Sequence, residues 1–103
     1  MLLTTTEQVM GREYEILGLV KGATIQSKHI GRDLGAGLKS IVGGELTGYT
    51  EMMEEAREVA MQRMVEDAKR MGADGIVGIR FSTSAIMQGA AEVMAYGTAV
   101  KLK

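Results

Sequence analysis

His29 and Asp33 stand four residues apart in KHIGRD, and a helix that begins early enough puts both side chains on one face. An imidazole and a carboxylate at that spacing can ligate a divalent metal ion such as zinc or nickel. Two ligands per chain do not close a site, so the metal reading requires several copies of the chain to converge. The alternative is a surface histidine and a first-turn aspartate facing the helix dipole. Arg32 and Lys39, in the run GRDLGAGLK, could instead meet a small anionic ligand at the helix N-terminus. That run is neither GxxxxGK[ST] nor GxGxxG, and its glycines equally allow close packing between subunits. Tyr49 joins Arg32 and Asp33 as a candidate ligand-binding residue, and with Glu51 it lies around the Gly-rich connection GGELTGY. No spacing sets a nucleophile beside a base, so no catalytic residue is assigned; Tyr49 also reads as a packing residue whose hydroxyl is satisfied at an edge. The thioethers of Met52, Met53, Met61 and Met64 could hold copper(I), but their spacing is that of a packed helix face.

Composition narrows the classes. The chain has 103 residues, enough for one domain with a modest core. A net charge of -1 and 4% aromatic residues argue against nucleic acid and against a charged membrane surface. Cysteine is absent, which removes disulfides, thiolate metal sites and cysteine nucleophiles. The start MLLTTTEQVM lacks the basic segment and apolar run of a signal peptide, and no stretch approaches the ~18 apolar residues of a membrane span. A cytoplasmic setting is the expectation. The 14 glycines and nine methionines point to backbones in close approach and to a core filled by flexible side chains.

The element best placed to organise these residues is a long helix over Thr50–Met71, with glutamates at its start, Lys69 and Arg70 in its last turn, and Gly72 as terminator. Met52, Met53, Ala56, Val59 and Ala60 form one apolar stripe. Met61, Met64, Val65 and Ala68 swing to its side, an arc wide enough for a second contact besides the sheet. Arg63 and Asp67 fall near the middle of the stripe as an i,i+4 pair, either buried at a contact or solvated beyond the end of the stripe at Ala60.

Upstream, LLTTT reads as an extended arm. EYEILGLVKGATI (13–25) reads as a strand with bulges or close approaches at Gly18 and Gly22, and 30–42 as a helix weakened by Gly35 and Gly37. Downstream, 76–87 and 93–102 read as two strands joined by a loop at 88–91. The predicted fold is a two-layer α/β (α+β) domain, β-α-α-β-β, over residues 1–103. Its three-stranded sheet has order 1-3-2, with the helices on one face. From Ile76 to Val100 only Arg80 and Glu92 are charged, too few for a sheet with one solvated face, so a homo-oligomer that covers the second face is expected.

RDLGAGLKSIVGGELTGY (32–49), AKRMGADGIVGIRF (68–81) and YGTAVKL (96–102) together resemble the YbjQ family of small bacterial and archaeal proteins, sometimes labelled a heavy-metal-binding domain. The resemblance spans nearly the whole chain. It implies a dodecin-like subunit assembled as a ring, with five copies the expected number, and it implies no particular activity. The expected role is therefore binding, of a metal ion or a small anionic ligand at subunit interfaces. A structural or partner-binding ring is the alternative, and an enzyme with inter-subunit sites comes third.

Overall fold

The computed structural model describes residues 1–27, 41–42 and 45–103. In chain order the elements are β1 (Leu2–Leu3), β2 (Tyr14–Ser27), β3 (Ile41–Val42), β4 (Glu45–Leu46), α1 (Thr47–Arg70), β5 (Gly75–Met87) and β6 (Ala90–Leu102). Four of the strands make one mixed sheet in the order β1-β5-β6-β2, one strand more than the sequence suggested. The extra strand comes from the arm. Leu2 pairs in parallel with Gly75, and the amides of Leu2 and Thr4 donate to the carbonyls of Asp74 and Ile76, each at 3.1 Å. Strand β6 runs antiparallel to both β2 and β5 along nearly its whole length.

The expected helix over 30–42 ends differently. Residues 30–40 lie outside the described residues, but Ile41 and Val42 form β3, which pairs antiparallel with β4 in the register Ile41↔Leu46 and Val42↔Glu45. Two β-branched residues followed by a Gly-Gly dipeptide suit a two-residue hairpin better than a helix end.

Helix α1 begins at Thr47, three residues ahead of the expected cap, so its first turn holds no acidic residue. Its end follows the Schellman pattern: Gly72, with φ of 77°, donates to the Lys69 carbonyl, and Ala73 donates to that of Ala68. The buried row is Met52, Ala56, Ala60, Met64 and Ala68, a single i+4 ridge. Met64 and Ala68 thus complete the stripe instead of turning to a flank, because an i+4 ridge is inclined roughly 26° to the helix axis and crosses a twisted sheet along its strands. Met53, Met61 and Val65 pack at the margin of the core, and Leu3 of the arm borders the same groove as Met61 and Val65. The chain's own arm therefore supplies part of the second contact that the wide apolar arc called for.

The ridge lies on Val20, Ile76, Ile79, Val93, Ala95 and Ala99. Three alanines on the helix and Gly22 on β2 bring the two backbones together. A Cβ on Gly22 would sit 2.3 Å from the Ala60 carbonyl oxygen and 2.3 Å from the Met64 amide nitrogen. No side chain fits there.

The Arg63–Asp67 pair also resolves differently from either expectation. The two side chains do not pair with each other. Arg63 Nη1 donates to the Ala23 carbonyl at 2.7 Å, and Asp67 Oδ2 accepts the Lys21 amide at 3.2 Å. Lys21 and Ala23 sit on β2, an edge strand, and residues two apart turn their backbone groups the same way. Helix α1 therefore reaches over the outer edge of β2 and satisfies part of it.

The molecule is not compact. Its radius of gyration is 17.1 Å with extents of 56 × 25 × 17 Å, against about 13 Å for a compact chain of this length. The distal half of β5, residues 80–87, is exposed throughout.

Candidate functional site

Residues paired across a sheet point to the same face, and here the register divides the chemistry in two. Val93, Ala95 and Ala99 of β6 face α1. The alternate set, Glu92, Met94, Tyr96, Thr98 and Val100, faces away, together with its partners on the neighbouring strands. Those partners include Ile16, Leu19 and Ile25 of β2, exposed at 66%, 66% and 61%. Three large aliphatic side chains on one strand face are left in water.

A cleft of about 460 Å³ opens at one end of this face, lined by Glu7, Tyr14, Ile16, Val77, Gly78, Arg80 and Thr98. The fold builds it from three places. Strand β6 supplies Thr98, and a bulge between Val77 and Arg80 at Gly78, with φ of 63°, lets β5 present Arg80. The arm closes the third side. The Tyr14 hydroxyl donates to the Glu7 carbonyl, and Arg80 Nη1 donates to the carbonyls of Thr5 at 3.0 Å and Ile79 at 2.8 Å. Among the described residues Arg80 forms no ion pair within 4.0 Å. Its guanidinium is thus tethered by carbonyls in a cleft that Glu7, Tyr14 and Thr98 also line. Such a cleft can bind a small anion, with Ile16 and Val77 as its apolar wall.

An electrostatic clasp lies elsewhere in the fold. Asp74 accepts the Leu102 amide at 3.0 Å and the Lys101 ammonium at 3.3 Å, tying the last strand to the turn before β5. The Leu102 amide first, and Lys101 second, hold its carboxyl below the ordinary carboxylate range. This clasp is structural.

His29, Arg32 and Asp33 lie outside the described residues, as does Lys39. Tyr49 is placed half-buried in the first turn of α1, with Glu51 exposed two residues on. Met52 and Met64 are in the core and Met53 and Met61 pack at its margin, so these thioethers fill space under the helix. Among the described residues no three histidine, cysteine or carboxylate side chains are grouped to hold a metal ion. No helix among them is long and apolar enough to cross a membrane. The cleft residues carried one legible signal, since Arg80 is one of two charges in an otherwise neutral stretch. What was hidden is that the arm and β6 meet it.

Comparison with known proteins agrees on the family. A YbjQ family model, described as "Putative heavy-metal-binding", matches residues 1–103. A UPF0145 protein of Vibrio campbellii is 66% identical over 99% of both chains. One of Thermotoga maritima is 57% identical over 100% of this chain and 98% of its own. In structure, a Pediococcus pentosaceus protein of unknown function, assigned to the DUF74 family, aligns over 100% of this chain and 98% of its own. Its TM-score is 0.65 at 20% sequence identity, a likeness of fold.

Proposed function

The chain belongs to the YbjQ (UPF0145) family, and we propose that it acts as a homo-oligomeric binding protein that holds a small anionic ligand between subunits. One observation carries this reading: the sheet face away from α1 exposes Ile16, Leu19 and Ile25 beside the cleft that contains Arg80. Three large aliphatic side chains standing in water on one strand face, with only Lys21 and Ala23 of that face between Leu19 and Ile25, invite a covering partner. A second copy laid on it buries the aliphatic row and roofs the cleft, where lower water access strengthens the pull of the guanidinium on an anion. A ring of five copies is the arrangement that the family resemblance implies.

A resident heavy metal fits the described residues poorly. They group no three ligands, and cysteine is absent from the whole chain. Metal binding would rest on His29 and Asp33, two donors per chain contributed by several subunits. No step is therefore assigned to a metal.

Native mass spectrometry of the full chain, titrated separately with inorganic phosphate, zinc, nickel and copper(I), tests the reading. An oligomer that takes up phosphate in proportion to its subunits, and loses that uptake in Arg80→Ala while staying assembled, is the expected result. A monomer overturns the reading. So does an oligomer that ignores phosphate and gains zinc or nickel stoichiometrically.

A further inference from the structure

Strand β5 ends its pairing with the arm at Ile79, whose amide donates to the Thr4 carbonyl at 3.1 Å. Beyond Arg80 no described strand lies along its outer edge, and residues 80–87 are exposed on both faces. The segment FSTSAIM (81–87) carries no charge, no proline and no lysine, and its Phe81, Ile86 and Met87 are exposed large apolar residues. Proteins normally blunt such an edge with a charge, a proline, a bulge or a covering element. The opposite edge of this same sheet is blunted, by Arg63 and Asp67 over β2. One edge is guarded; the other carries a bulge on either side, at Val77/Arg80 and at Ala85/Met87, and lies open between them from Phe81 to Ala85.

We infer that the distal edge of β5 is a strand-pairing surface for the same edge of a second copy, running antiparallel and related by a two-fold axis near Thr83. The inference rests on the assembly proposed above. Three observations select this occupant. An edge neutral from Phe81 to Met87 offers no ion pair to a charged peptide, whereas its own copy is equally neutral. Arg63 and Asp67 already occupy the Lys21 and Ala23 backbone groups of β2, so a copy presenting that edge instead would have to break both contacts. The parity also suits a two-fold axis. Because the Ile79 amide points outward, those of Phe81, Thr83 and Ala85 do too. An axis at Thr83 sets Phe81 across from Ala85, inside the two bulges, and keeps the two Arg80 guanidinium groups from lying opposite each other.

Such a contact is isologous and joins copies two at a time, unlike the head-to-tail contact that closes a ring. It therefore doubles whatever assembly the sheet face makes. Ala85→Lys places a charge on the open edge at an exposed position. Sedimentation velocity should give the variant half the mass of the wild-type particle. Hydrogen exchange on the wild type supplies a reading that does not depend on the variant folding. The amides of Phe81, Thr83 and Ala85 should exchange roughly tenfold slower in the assembled protein than at dilutions that dissociate it. A variant of unchanged mass, with those three amides exchanging freely in the assembled wild type, overturns the edge pairing and leaves the assembly standing. A wild-type monomer at every concentration overturns both.

Discussion

The two edges of the sheet are treated in opposite ways. Along β2, helix α1 lies so close that Gly22 has no room for a Cβ, and its Arg63 and Asp67 reach over to the Ala23 carbonyl and the Lys21 amide. Along β5, the arm pairs only as far as Ile79 and the strand continues bare to Met87. The difference follows from where the helix can lie. Small residues at Gly22, Ala56, Ala60 and Ala68 draw it over β2 and β6, so no described element lies over the distal half of β5. An edge covered by an element of its own chain has little left to offer a partner. An uncovered, uncharged one remains available.

Breaking the close approach should have the largest effect. Gly22→Val pushes against backbone atoms of Ala60 and Met64, which cannot move without lifting the helix. A loss of about 3 kcal/mol or more in urea unfolding is expected, and the lifted helix should unguard β2 as well. Arg63→Ala removes only the grip on Ala23 and should cost about 1 kcal/mol, since the side chain is exposed. Its sharper signature is association. Freed β2 edges should give particles larger than those of the wild type in light scattering at equal concentration. A quiet Arg63→Ala would mean that the guard is unnecessary and would weaken the contrast between the edges.

Asp74→Asn should have the smallest effect. The folded chain holds the Asp74 carboxyl below its ordinary range, chiefly through the Leu102 amide. The unfolded chain binds its proton near pH ~4, and the folded chain only at lower pH. The stabilisation is therefore complete above about pH 4 and disappears as the pH falls through the lower folded value. A thermal-unfolding series should show the wild type slightly ahead of Asp74→Asn from pH 5 to pH 8, with the gap closing in acid. A gap that widens in acid would contradict the clasp.

Long periodic elements were legible in the sequence. The first half of the α1 ridge, Met52, Ala56 and Ala60, follows from helical spacing, whereas Met64 and Ala68 are expected on its flank and complete it only over a twisted sheet; β5 and β6 follow from neutral, β-branched runs. Gly22 was legible too, as a glycine in a strand that could only mark a close approach or a bulge. The arm's pairing was not. Two residues of strand have no period, and Leu2 finds Gly75 only once the sheet edge exists. Ile41 and Val42 continue the helical spacing of Ile30, Leu34 and Leu38, a signal that masks the hairpin marked by the Gly-Gly dipeptide after them. The fate of Arg63 and Asp67 depended on the strand beneath them, which helical spacing alone does not specify. The cleft joins residues 7, 14, 80 and 98, too distant in sequence for any motif to reveal. Of the residues whose types suit ligand or metal binding, Tyr49 is described in α1, whereas His29, Arg32 and Asp33 are outside the described residues.

The most direct test is sedimentation velocity on the wild type beside Leu19→Lys. Leu19 is 66% exposed on the aliphatic face, so the substitution should change the stability of a single chain by less than ~0.5 kcal/mol. The wild type should sediment as a particle of several chains, and Leu19→Lys as a folded, smaller species. A wild type that sediments as one chain, or a Leu19→Lys variant as large as the wild type, would contradict burial of that face between subunits.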